Sequence, residues 1–237
     1  MRQPDLRAPE GPPLPAARTT RRSIIASGAF LASAAAFGAS LSVTEAFAQR
    51  GATLVGGAVD LGTGDFAVLN YAYALEQLEA AYYTQVLAQP YRGMNAYESQ
   101  VLADLQAHES AHRDFLKNAL GFAAIPALQV DFSRVNFANR NSVLTTARTF
   151  EDLGVSAYNG AGQLLRNPQF LAVAGSIVSV EARHAAIIRD LISPFSPAFA
   201  GNDVVDAAGL DGARLPSQVL PAAAPFVLTP VSASQLP

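Results

Sequence analysis

The stretch Leu105–Phe115, LQAHESAHRDF, admits two incompatible chemistries. Read from His108 it is H-E-x-x-H, in which two histidines one helical turn apart hold zinc and the glutamate beside them acts as a base. Read from Glu109 it is E-x-x-H, half of a two-metal carboxylate site inside a helical bundle. The chain has three histidines and eight glutamates, and two of the histidines follow a glutamate at i+3: Glu109/His112 and Glu181/His184. Residues at i and i+3 share a helix face, so each pair can grip one metal. Two further glutamates lie in stretches that repeat each other. ALEQLEAAYY aligns with TFEDLGVSAY, so that Glu76 falls on Glu151, and Tyr83 and Tyr158 each follow seven residues later. The order is E…ExxH…E…ExxH, which lets four carboxylates and two imidazoles converge in a bundle.

A zinc protease needs a third protein ligand beyond its motif. The only later histidine, His184, belongs to the second E-x-x-H, and the zinc reading leaves Glu76, Glu151 and Glu181 without a purpose. His108 is then a neighbour of the site, either behind the ligands or on the outer helix surface. Taken singly, Glu76 or Glu151 reads as a solvated helix residue, and His184 as a core histidine. Six such positions in register point to a metal site. Glu79, one turn from Glu76, either replaces it or backs it, and Tyr83 and Tyr158 are core tyrosines whose hydroxyls need partners.

Four helical segments position these residues. The first runs from about Asp65 to Ala88, ended by Pro90 and Gly93. The second runs from about Ala96 to Leu120 and stops at Gly121. The third runs from about Ser142 to Leu165 and is broken by Arg166-Asn167-Pro168, and the fourth runs from Pro168 to Ile192, ahead of Ser193-Pro194. The first and second, and the third and fourth, are joined by short turns and form antiparallel hairpins. Between the hairpins lies FAAIPALQVDFSRVNFANRN, long enough to cross the length of a bundle. Glu181 and His184 share a face with Ala174, Ile177, Ile188 and Leu191 on a nearly uncharged helix. Ionised carboxylates there require cations or hydrogen-bond donors. Beyond residue 193 the chain is rich in proline, alanine and glycine, yet Phe195, Phe199, Val204, Leu210, Leu215, Leu220 and Phe226 recur along it. It reads as an apolar arm packed on the bundle, with a short helix near Pro216–Ala223.

Composition sets the frame. The 237 residues are 50% hydrophobic and 15% charged, with a mean hydropathy of +0.20, enough for one well-buried domain. Cysteine is absent, which removes disulfides and thiolate metal sites. With one lysine, Lys117, and a net charge of -3, nothing suggests a nucleic-acid surface. At the N-terminus, Arg21-Arg22 precede an Ala/Gly-rich apolar run that closes on Ala46-Phe47-Ala48. This reads as a twin-arginine secretory signal cleaved before Gln49, a route for proteins already folded, and implies a periplasmic or extracellular location. Cleavage removes five arginines and three acids, leaving 11 basic and 16 acidic residues and a net charge of -5. The expected division is residues 1–48 as signal, 49–193 as bundle and 194–237 as arm, with no membrane anchor after cleavage.

LNYAYALEQLEAAYY, FEDLGVSAYNGA and VNFANRNSVL, with the apolar arm, resemble the ferritin-like superfamily and, within it, the desiccation-related ferritin-like proteins of bacteria and plants. The resemblance covers nearly all of the mature chain. It implies an all-α, up-down-down-up four-helix bundle with a long crossover. It also implies Glu76, Glu109, His112, Glu151, Glu181 and His184 as ligands of two metal ions. The long arm departs from cage-forming ferritins, which end in a short fifth helix, and argues against an iron-storage cage. The expectation is an exported protein whose two iron ions react with oxygen or peroxide, as a ferroxidase or in protection against oxidative or desiccation stress, with a homodimer as a possible assembly. The alternatives are two manganese ions with catalase-like chemistry, or a metal-free protective scaffold.

Overall fold

The structure is a computed structural model and describes residues 54–237; the signal-peptide reading lies outside the described residues. Four long helices dominate: α1 (Gly64–Ala88), α2 (Ala96–Leu120), α3 (Arg140–Gly162) and α4 (Pro168–Ile192). A short helix, α5 (Pro216–Ala223), lies in the arm. Three small strands, β1 (Leu54–Val55), β2 (Ala58–Asp60) and β3 (Val231–Ser232), flank the bundle.

Local chemistry sets the helix starts. In α2, Asn95 accepts from the Glu98 amide while Glu98 accepts from the Asn95 amide, a reciprocal capping box. In α4, Asn167 caps the Gln169 amide, and Pro168 occupies the first turn, where its missing N–H leaves no bond unmade. The third helix differs from its expected limits at both ends. Asn139 caps it by accepting from the Ser142 amide, so that the helix starts at Arg140, two residues before the expected start. It ends at Gly162 because the amides of Leu164 and Leu165 turn back onto the carbonyls of Ala161 and Gly162.

Hydrogen bonds between elements give the directions. Asp65, at the start of α1, accepts from the amides of Arg166 and Asn167, at 2.8 Å each, in the α3–α4 turn. Tyr82, near the end of α1, donates to the Val143 carbonyl near the start of α3 at 2.6 Å. These helices therefore run antiparallel. At the far end Arg140, opening α3, binds Glu98, opening α2, and the Leu191 carbonyl, closing α4, both at 2.7 Å. So α2 and α3 start together, and the order is up-down-down-up.

The crossover between α2 and α3 must then travel the whole bundle, and α1 holds it rung by rung. Asn70 donates to the Ala123 carbonyl and accepts from the Ile125 amide. Further along, Gln77 accepts from the Leu128 amide at 2.8 Å. The Tyr82 ring meets Phe132 and Phe137, and the Arg92 amide reaches the Ala138 carbonyl. Covered on all sides, α1 is buried continuously from Ala67 to Ala80, which its sequence permits because apolar residues lie on every side and Asn70 and Gln77 are hydrogen-bonded to the crossover.

The arm packs as expected, though not by helix alone. The Arg214 amide donates to the Ser156 carbonyl at 2.8 Å, and a Cβ at Gly160 would stand 1.9 Å from the Arg214 carbonyl oxygen, so only glycine admits this approach. Pro216, Val219 and Ala223 of α5 are buried. The chain then returns along the crossover, and β3 joins β2 in parallel, with β1 antiparallel on the other side of β2. These strands are minor beside the helices, and the fold is all-α as expected. At two or three residues each, they are too short to show an alternating pattern.

Candidate metal centre

The structure brings all six predicted positions together. Glu76 comes from α1, Glu109 and His112 from α2, Glu151 from α3, and Glu181 and His184 from α4. The four glutamates are fully buried, His184 is 3% exposed, and the His112 side chain is 12% exposed. His112 Nδ1 lies 3.0 Å from Glu181 Oε1 and 3.5 Å from both Glu76 Oε2 and Glu109 Oε2. His184 Nδ1 lies 2.7 Å from Glu109 Oε1, 3.5 Å from Glu151 Oε2 and 3.9 Å from Glu181 Oε2.

These atoms form two overlapping quartets: Glu76, Glu109, His112 and Glu181; and Glu109, Glu151, Glu181 and His184. In each, the ligand atoms lie within 4.8 Å of one another, which suits one cation per quartet. Glu109 and Glu181 belong to both and would be the shared, bridging carboxylates of two ions; Glu76/His112 and Glu151/His184 belong to one quartet each and would be terminal.

The tyrosines distinguish bridging from terminal carboxylates. Tyr158 donates to Glu76 Oε1, and Tyr83 donates to Glu151 Oε1. Each tyrosine thus serves the glutamate of the opposite helix rather than its own. The terminal carboxylates keep one oxygen unbonded, whereas both oxygens of Glu109 and of Glu181 are buried without a hydrogen-bond partner. With the Nδ1 atoms of both histidines, eight buried polar atoms face one another with none aligned as a hydrogen bond. An unsatisfied buried polar group costs roughly 1–3 kcal/mol. The imidazoles, 3.0 Å from Glu181 and 2.7 Å from Glu109, offset this cost only in part, since the eight atoms set four carboxylates against two histidines. Two divalent ions would satisfy them all, and carboxylate with imidazole is the donor set of iron and manganese.

The electrostatics of the metal-free site follow from this crowding. Burial, then repulsion from Glu109, pushes Glu76 up to about 7 despite its proximity to His112. Burial, then Glu109 and Glu76, drives Glu181 well above the usual carboxylate range. Burial also opposes ionisation of Glu109, but the two imidazoles outweigh it and hold Glu109 below its ordinary value. Burial alone would discharge His112 and His184; the surrounding carboxylates instead keep both protonated. Ions entering the site must therefore displace protons.

Two side chains left open by the sequence now have places. Glu79 is buried opposite Gly154: a Cβ added there would lie 3.2 Å from Glu79 Oε1 and 3.3 Å from Glu181 Oε2. Burial, then Glu181 and the other site glutamates, raises Glu79 far above its ordinary value. The signal was present in the repeat, since Glu79 aligns with Gly154 and the larger side chain occupies the room left by the smaller. His108 stands behind the site, its Nδ1 2.9 Å from His184 Nε2.

The ferritin-like domain family matches residues 64–194, from the start of α1 to just past α4. The chain belongs to the ferritin-like family. No curated protein matches the sequence. The ferritin-like match covers all four helices of the metal centre and stops short of the arm, so α5 and β3 are additions outside the matched domain.

Proposed function

We propose that this chain is an exported ferritin-like protein, of the desiccation-related kind, that holds two iron ions and consumes oxygen or peroxide at them. The observation that carries the reading is the set of eight unpartnered atoms shared between two quartets. Bound iron would supply one-electron chemistry and open positions for an oxidant. The protein's part is to bind, orient and seal. Glu109 and Glu181 would be shared by the two ions, and Glu76 with His112 and Glu151 with His184 would complete the two positions. Tyr158 and Tyr83 pin the outer oxygen of each terminal carboxylate, leaving one oxygen aimed inward. Burial excludes bulk water from the centre, which strengthens every charge interaction inside it. Export is proposed from Arg21-Arg22 and the Ala46-Phe47-Ala48 box.

Metal analysis of protein purified from its native host tests the assignment. Two irons per chain, with Fe(II) oxidised faster than in buffer and Glu151→Ala inactive, is the expected result. Two manganese ions would transfer the site to catalase-like chemistry, and no metal would leave a protective scaffold. For export, replacing Arg21 and Arg22 by lysine should retain the precursor in the cytoplasm. Mature protein beginning at Gln49 outside the cell would sink that assignment.

A further inference from the structure

His108 belongs to the H-E-x-x-H motif yet lies in neither ligand quartet. It is half-buried, and its Nδ1 lies 2.9 Å from Nε2 of His184. The two ring planes are within 5° of each other with centroids 5.1 Å apart, so the contact is in-plane, lone pair to N–H. An imidazole that gives one nitrogen to a metal keeps its proton on the other, and that proton needs an acceptor. His184 turns Nδ1 toward Glu109 and Glu151, which leaves Nε2–H facing His108. His108 must accept at Nδ1 and carry its own proton on Nε2.

The other half of the site has no such device. Aligning His108-Glu109-x-x-His112 with Val180-Glu181-x-x-His184 puts Val180, which has no polar side-chain atom, in the place of His108. No side chain among the described residues hydrogen-bonds the outer nitrogen of His112, whose ring is partly exposed.

We propose that His108 is a positioning residue for the ion position formed by Glu109, Glu151, Glu181 and His184, and that it makes this the tighter of the two. By accepting from Nε2–H it selects the tautomer of His184 and fixes the plane in which Nδ1 is aimed. The inference rests on the two-ion reading. It accounts for a histidine at 108 that the E-x-x-H pattern leaves without a role.

The test uses the purified protein, stripped of metal and titrated with Co(II). Absorbance follows the two binding steps, and proton NMR in water follows the hyperfine-shifted N–H of the bound histidines. Wild type should bind two ions in unequal steps, with one slowly exchanging N–H from His184. His108→Ala should weaken the tighter step by about 10- to 100-fold and leave the other unchanged. It should also lose the slowly exchanging signal, while the metal-free thermal midpoint stays near that of wild type. His108→Gln, whose amide oxygen can accept the same hydrogen bond, should recover most of the affinity and the signal. Unchanged steps in His108→Ala, equal weakening of both steps, or a glutamine variant no better than alanine would each overturn the assignment. If wild type binds no Co(II), the two-ion reading fails and this inference falls with it. If wild type binds two ions and the variants match it, only the role of His108 fails.

Discussion

Arg189 and Glu181 are both buried and ionisable and lie about two turns apart on α4, yet their surroundings are opposites. Arg189 is saturated from within. Its guanidinium donates to both oxygens of Asp152 at 2.8 and 2.7 Å, to both of Asp203 at 3.1 and 3.0 Å, and to the Ala198 carbonyl. Glu98, at the far end of the bundle, is matched in the same way by Arg140 and the Asn95 amide. Glu181 has no arginine or lysine near it, and neither of its oxygens has a hydrogen-bond partner. This sequence can surround a buried charge with counter-charge, and it does so wherever the charge has only a structural task. At the centre two imidazoles face four carboxylates, so the chain supplies only part of the counter-charge.

The largest expected effect tests that contrast directly. A ligand bound only to the native state at 1,000 times its dissociation constant adds about 4 kcal/mol. Fe(II) or Mn(II) should therefore raise the thermal midpoint by about 10 °C in a domain of this size. Glu109→Ala removes a bridging carboxylate and should abolish the rise for both ions. A wild-type midpoint indifferent to either metal in calorimetry would break the comparison.

Next in size is the internally matched charge. Arg189→Ala removes the donor shared by Asp152 and Asp203, but water can reach both carboxylates, so the loss should be about 2–3 kcal/mol, that of charged hydrogen bonds. Denaturant unfolding should show the same loss with and without metal, at unchanged ion stoichiometry. A loss seen only in the metal-loaded protein would couple the two regions.

The dependence on pH sharpens the comparison further. Glu76 titrates at about 7 in the fold against an ordinary value of 4.5, so the native metal-free state keeps a proton that the unfolded chain has released. Metal-free stability should thus rise as pH falls from 7 toward 4.5. His112 and His184 act in the same direction: their raised values stabilise fully below about 6.5, and that contribution is lost as pH climbs. The metal-loaded protein should do the reverse, because protons compete with the ions. Midpoints measured with and without metal should converge between pH 8 and pH 5. Glu98, held below its ordinary value by Arg140 and the Asn95 amide against the effect of burial, should be unaffected across that range.

The smallest effect concerns the crossed tyrosines. Tyr158→Phe deprives Glu76 of its donor, and Tyr83→Phe does the same to Glu151. Each should cost about 1 kcal/mol. Near-equal values would support the two-fold character of the site, and a large inequality would show that its halves have different tasks.

Much of this was legible in the sequence, for specific reasons. The starts of α2 and α4 are readable because Asn95 and Asn167-Pro168 are strong local signals, and the six positions are readable because their spacing repeats. The crossed donation is not readable. The seven-residue interval places each tyrosine two turns from a glutamate, but only the antiparallel docking of α1 on α3 decides which glutamate it meets. The place of Glu79 is half legible: the repeat sets it against Gly154, but that the two meet across helices is a property of packing. The β2–β3 pairing joins segments on either side of the bundle, and strands so short carry no period to detect.

The division of ligands between the hairpins has a consequence for the order of assembly. Helices α1 and α2 carry three ligands of one quartet and borrow Glu181; helices α3 and α4 carry three of the other and borrow Glu109. Contacts within a hairpin close short loops, whereas the tyrosine–glutamate contacts join residues 68 and 82 positions apart. A full coordination sphere therefore appears at neither ion until both hairpins have met in the correct register. A slip of one turn would carry Glu109 and Glu181 away from both ions at once. Were two ions bound, occupancy of the site would work as a proof-reading mark: a chain that retained both would have completed its long-range topology.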